Sequence, residues 1–96
     1  MEEVYVPSAA VLEMDLELKT HGFSNEERRE ACTSLLGYVS EEKFVPVTFE
    51  IVAEATGLEH IAGYFDAIIG STARMHNATV VSKDAAFTAM GLNTAW

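Results

Sequence analysis

The sequence predicts an α/β fold, a three-layer α/β/α arrangement on a mostly parallel sheet, and two observations carry the expectation. Short β-branched or apolar runs alternate with stretches of helical periodicity along the whole chain. The segment between successive runs is in most cases long enough to hold a helix, which is what a chain needs to return to the same end of a parallel sheet.

Val4, Tyr5 and Val6 form the first run, stopped by Pro7, with Ser8 expected to cap a helix to about Thr20. His21 and Gly22 end that helix, because glycine accepts the left-handed conformation and a histidine in the last turn suits the negative end of the dipole. Ser24 followed by Glu27 has the form of a capping box. Ala31, Cys32, Leu35, Leu36 and Val39 then share one helical face, so this second helix is expected to reach about Ser40. Residues 43–47 read as a strand, and Thr48 as the cap of a helix carrying Ile51, Val52 and Ala55 towards Gly57. A further helix is expected over residues 61–75, with Phe65, Ile68, Ile69 and Thr72 on its buried side and His76 and Asn77 at its end. Residues 78–82 are almost wholly apolar, the pattern of a strand covered on both faces. Residues 84–90 read as a short helical turn, and residues 92–96 as a last strand.

Ninety-six residues make one domain, 1–96, near the small end of what buries a self-sufficient core. With 49% apolar and 22% charged residues the composition is that of a folded chain, and no apolar stretch approaches the ~20 residues of a membrane helix. No signal-like segment opens the sequence and one cysteine cannot form an internal disulfide, so the cytoplasm is the default compartment. The net charge of −9 repels phosphate at long range and argues against broad nucleic-acid affinity. An acidic chain still acts on nucleic acid if its carboxylates hold divalent cations that bridge to phosphate.

Sites in α/β folds lie where strands end and helices begin. Three acids are expected at that edge: Glu13 in the second turn of the first helix, Asp66 early in the 61–75 helix, and Asp84 just beyond the 78–82 strand. Each also has a structural reading, since acids stabilise first helical turns and Asp favours turns after strands. Two bare carboxylates ~4 Å apart repel by about 4 kcal/mol at an effective dielectric near 20, a conflict that a divalent cation removes. Glu17, one turn after Glu13, reads chiefly as a solvated residue. Cys32 fits an apolar stripe and is expected to be a buried core thiol. His21, His60 and His76 have no zinc-ligand spacing. Tyr64, Phe65 and Trp96 would stack on bases or, more usually, pack in the core. Arg74 and Lys83 are candidate phosphate contacts.

Three segments occur in order: Val6-Pro7-Ser8-Ala9-Ala10-Val11-Leu12-Glu13, Tyr64-Phe65-Asp66-Ala67-Ile68-Ile69-Gly70-Ser71-Thr72-Ala73, and Val80-Val81-Ser82-Lys83-Asp84-Ala85-Ala86-Phe87. Together they resemble the PIN domain family of VapC-like ribonucleases: a strand running into a helix with an acid, an Asp-Ala-Ile-Ile helix, and a strand ending in Thr/Ser-x-Asp-x-x-Phe. The resemblance implies a Mg²⁺- or Mn²⁺-dependent ribonuclease with Glu13, Asp66 and Asp84 as metal ligands and catalytic acids, gathered within ~10 Å of each other. It also implies RNA as substrate and an antitoxin-like protein partner. Complete domains of that family begin with a strand ending in an aspartate, which this sequence lacks. That difference implies a domain incomplete at its N-terminus, weak metal binding and uncovered strand edges that favour a homodimer or higher oligomer. The alternative is a non-catalytic PIN-like module that dimerises or binds a protein.

Overall fold

The computed structural model describes residues 4–95. The chain divides into two compact units, Met1–Pro46 and Val47–Trp96.

In the first unit, β1 (Val6–Pro7) runs directly into α1 (Ser8–Thr20). Pro7 does not stand outside the strand; it is both the last strand residue and the helix N-cap, and Ser8 is the first helical residue rather than its cap. The ring explains this: its fixed φ, here −65°, suits an extended N-cap, and a residue without an N–H loses nothing at a helix start. The other end follows expectation. Gly22 takes φ +86°, and the His21 ring nitrogen Nδ1 lies 2.7 Å from the carbonyl oxygen of Glu17.

Helix α2 (Asn25–Ser34) opens with the expected capping box: Glu27 N–H donates to Ser24 Oγ at 3.1 Å, and Ser24 N–H donates to Glu27 Oε1 at 2.9 Å. It ends before Ser40, passing into a 3-10 turn over Leu35–Gly37. The hydroxyls of Thr33 and Ser34 donate to carbonyls one turn back, Arg29 at 3.0 Å and Ala31 at 2.8 Å, a bonding habit that loosens a helix, and Gly37 adds little to hold it. A two-pronged pair ties α2 to α1: Arg28 Nε and Nη2 donate to the two carboxylate oxygens of Asp15 at 2.8 and 2.7 Å. Strand β2 (Phe44–Val45) lies parallel to β1, with Val6 opposite Phe44 and Pro7 opposite Val45.

The second unit begins with α3 (Phe49–Ala55), capped as expected by Thr48, whose Oγ1 accepts from Ile51 N–H at 3.3 Å. Helix α4 (Tyr64–Met75) starts three residues later than its periodicity suggests. The chain first turns tightly, with Ile61 N–H donating to Leu58 O at 2.9 Å, and Gly63 then supplies an extended N-cap. The buried face also differs. Ala67, Ile68, Gly70, Ser71, Thr72 and Ala73 are buried, while Phe65 and Ile69 are half-buried. Small residues take the inside because α4 packs closely on α3 and on Met90. Ser71, 0% exposed, donates its hydroxyl to Ile51 O at 3.2 Å. A Cβ on Gly70 would stand 2.8 Å from Met90 Cε and 2.9 Å from its Sδ.

His76 and Asn77 end α4, Asn77 in the left-handed region at φ +50°. Strands β3 (Val80–Val81) and β4 (Thr94–Ala95) pair in parallel across α5 (Ala85–Ala89), with Val80 opposite Thr94 and Val81 opposite Ala95. Trp96 lies outside the described residues. The expectation of a 78–82 strand covered on both faces is corrected here: Val81 is 73% exposed and Val80 half-buried, and since successive strand residues point to opposite faces, only the Val80 face is covered. Among the described residues the strands form two parallel pairs, β1 with β2 and β3 with β4. No described helix is long and apolar enough to cross a membrane.

The tight α4 face sets an expected order of stability losses. Gly70→Val forces an extra branched side chain against Met90 and is expected to cost about 1–3 kcal/mol. Ser71→Ala removes one buried hydrogen bond and is expected to cost about 0.5–1.5 kcal/mol. Urea unfolding measures both; a Gly70→Val variant as stable as the wild type would show that α4 is not held this closely.

Candidate functional site

Two of the three acids singled out in the sequence belong to the second unit, and both stand at helix starts. Asp66 is in the first turn of α4. Asp84 is the N-cap of α5, its Oδ1 accepting from Ala86 N–H at 2.9 Å. Behind it, Ser82 Oγ accepts from Asp84 N–H at 3.0 Å, so the turn from β3 into α5 is built by side chains three positions of sequence could specify: Ser, any residue, Asp. The Ser-x-Asp spacing at Ser82 and Asp84 is the sequence signal for this turn.

The structure brings Asp66 and Asp84 within electrostatic reach of each other. Partial burial of the Asp66 carboxyl pushes its pKa above the ordinary value of 3.8, and the negative charge of Asp84 pushes it further the same way. Asp84 itself is exposed. Within this unit, among the described residues, no third His, Cys, Asp or Glu joins the pair in a cluster spaced to hold an ion. Glu13, the third acid, is carried by the first unit, half-buried in the second turn of α1.

Other side chains are committed elsewhere. Asp15 is bound by Arg28, and those hydrogen bonds hold its carboxyl below the usual range. Arg74 is not the phosphate contact expected of it. It sits in the last turn of α4, eight residues and therefore roughly 12 Å along the axis from Asp66. There it pairs with Glu54 at 3.6 Å and donates to the carbonyl of Met90. Cys32 is half-buried rather than a core thiol, because the face of α2 that carries it lines an open groove. Tyr64 is 60% exposed, not in the core, with its ring set edge-on to Phe65 at 5.5 Å and 87°.

A family model described as PIN domain matches residues 1–92. The chain belongs to the PIN domain family. Its fold is similar to that of a solved structure: the crystal structure of FitAcB from Neisseria gonorrhoeae superposes with a TM-score of 0.69 at 19% identity, over 95% of this chain and 73% of that one. A search of curated proteins found no match. PIN domains are generally dependent on divalent metal, and a coupled pair of carboxylates with one partly desolvated is a donor set that suits such an ion.

The raised Asp66 pKa has a sign that can be tested. A carboxyl with a raised folded pKa binds protons in the folded state before it does so unfolded, so its ionisation costs stability, in full above the raised value and not at all below 3.8. Asp66→Asn is therefore expected to raise Tm at pH 7, with the gain disappearing as the pH falls to 3.8 and below. A thermal-melt series across pH checks this; an Asp66→Asn variant less stable at neutral pH would contradict it.

Proposed function

We propose that this PIN domain serves metal-dependent hydrolysis of RNA phosphodiester bonds, with Asp66 and Asp84 as ligands of Mg²⁺ or Mn²⁺. The observation that supports it most is the electrostatic coupling of Asp66 to Asp84 at the starts of α4 and α5. The Asp66 carboxyl is raised first by its burial and then by the charge of Asp84, and an acid held so gains from a bound cation.

The side chains divide the work. Asp84 is held by its cap bond to Ala86 N–H, which fixes its rotamer and leaves the carboxylate group facing solvent where a phosphate arrives. Asp66 is the less hydrated of the two, so a cation replaces less water there and meets a stronger field. When bound, the ion lowers the pKa of water for attack and offsets charge on the phosphate. The net charge of −9 makes the chain a poor polyanion binder by itself, so RNA association depends on cations at the acids. Lys83, next to Asp84, is the remaining basic candidate for a phosphate contact.

A second reading, a PIN module that works by binding protein, has its own support. In the first unit an open groove of about 490 Å³ is lined by Val11, Leu12, Leu35, Leu36 and Phe44, with Leu12 and Leu36 exposed. Apolar surface of this kind fits an antitoxin-like helix or a second copy in a homodimer.

The test is cleavage of single-stranded RNA with Mn²⁺ and with chelator. Metal-stimulated cleavage is expected, reduced roughly a hundredfold or more by Asp66→Asn and by Asp84→Asn, beyond the 10–100-fold typical of residues that only support ligands. Metal-independent cleavage, or cleavage untouched by Asp66→Asn, would overturn the assignment. No cleavage, together with a dimer by light scattering, would favour the binding module.

A further inference from the structure

The first turn of α4 carries two kinds of side chain: the acid Asp66 and, two residues before it, the exposed ring of Tyr64. An aromatic side chain of this size left 60% exposed forgoes burial worth a large share of its packing energy. It is nonetheless not loose. Its ring makes a T-shaped contact with the half-buried Phe65, centroids 5.5 Å apart at 87°, and more than half of its surface stays open to solvent. The sequence offered core packing or base stacking for this ring; the structure removes the first.

We infer that Tyr64 is a stacking platform for an unpaired base of the RNA substrate, set a fixed number of nucleotides from the phosphate at Asp66 and Asp84. The inference rests on the reading of this site as an RNA-cleaving centre. Residues two apart in a helix project on nearly opposite sides of its axis, so the ring and the Asp66 carboxylate stand roughly a helix diameter apart, about 10 Å. Tyr64 therefore does not touch the reacting phosphate. At about 3.4 Å per stacked nucleotide, that separation corresponds to roughly two to three nucleotides along a single strand. Both side chains nevertheless lean towards the N-terminal end of α4, since helical side chains tilt that way, so one strand crossing that end meets both. Stacking also suits this chain's charge. Base–aromatic contact gains nothing from positive charge and is indifferent to sequence, so it supplies affinity that a chain of net charge −9 does not obtain from phosphate contacts. A duplex keeps its bases stacked inside and offers the ring nothing, so the site selects single-stranded RNA.

The test uses the whole chain and a fluorescein-labelled, mixed-sequence single-stranded RNA, with a blunt RNA duplex of the same length alongside, both read by anisotropy on the unaltered acids with Ca²⁺ in place of Mn²⁺, an oxygen-seeking cation that supports binding while slowing cutting. Tyr64→Ala is expected to weaken single-strand binding by roughly ten- to a hundredfold, while Tyr64→Phe, which keeps the stacking face, stays within about twofold and duplex binding does not change. Equal binding by the Tyr64→Ala variant, or no single-strand binding by the parent, overturns the inference. So does a change of oligomeric state on Tyr64→Ala, which assigns the ring to a protein contact. Cleavage by the otherwise unaltered chain is measured separately: if it is metal-dependent and lost in Asp66→Asn while Tyr64→Ala cuts with unchanged KM, the nuclease reading stands and only the stacking assignment falls.

Discussion

The close seating of α4 is the constraint on which the second unit depends. Ala67, Gly70 and Ser71 present almost no side chain on the buried face of α4, so the Met90 side chain packs directly over Gly70, and the Ser71 hydroxyl ties α4 to α3 through Ile51 O. Helices approach as closely as their interface residues permit. With the body of α4 fixed, its first turn is fixed too, and that turn carries Tyr64, Phe65 and Asp66. Arg74 secures the other end by joining Glu54 on α3 to the carbonyl of Met90 at the end of α5. What looks like a phosphate-binding arginine in sequence is thus a brace that lets the opposite end of the helix be precise.

The chain treats its aspartates in two opposite ways. Asp15 is matched by a guanidinium, its carboxyl is held below the ordinary range, and its contribution to stability is present at neutral pH and lost as the pH falls through that lowered value. Asp66 is set against burial and against Asp84, so its contribution has the reverse sign, a cost at neutral pH that acid removes. A fold selected only for stability has no reason to keep the second arrangement. Groups held in unfavourable ionisation mark sites where something else completes the charge balance. PIN domains are generally dependent on divalent metal, and in the proposed reading such an ion is the partner that the acids at the starts of α4 and α5 await.

Much of this was legible in the sequence because the signals are local. The capping box at Ser24 and Glu27, the Thr48 cap, the Gly22 stop and the Asn77 stop each depend on residues within one helical turn, and each is realised. The places of Asp66 and Asp84 at helix starts were legible for the same reason. The misses are non-local. Periodicity placed Phe65 and Ile69 on the inner face of α4, but close approach favoured the small residues, which no single-helix pattern reveals. Two-sided cover for residues 78–82 was inferred from apolarity alone, whereas cover depends on which elements lie against the strand, and Val81 has little. Arg74 was misassigned because proximity in sequence to Asp66 was read without counting the turns between them.

The central claim is that Asp66 and Asp84 form a cation seat, and weak binding does not hide such a seat from a paramagnetic ion. Substoichiometric Mn²⁺ added to the ¹⁵N-labelled chain broadens the amide signals nearest to where it rests. The account predicts that residues of the first turn of α4 and the Ser82 to Ala86 turn broaden first, and that Asp66→Asn abolishes this selectivity. Broadening spread over the acidic surface, at Glu26, Glu41 and Glu42 as much as at the pair and unchanged by Asp66→Asn, would contradict it.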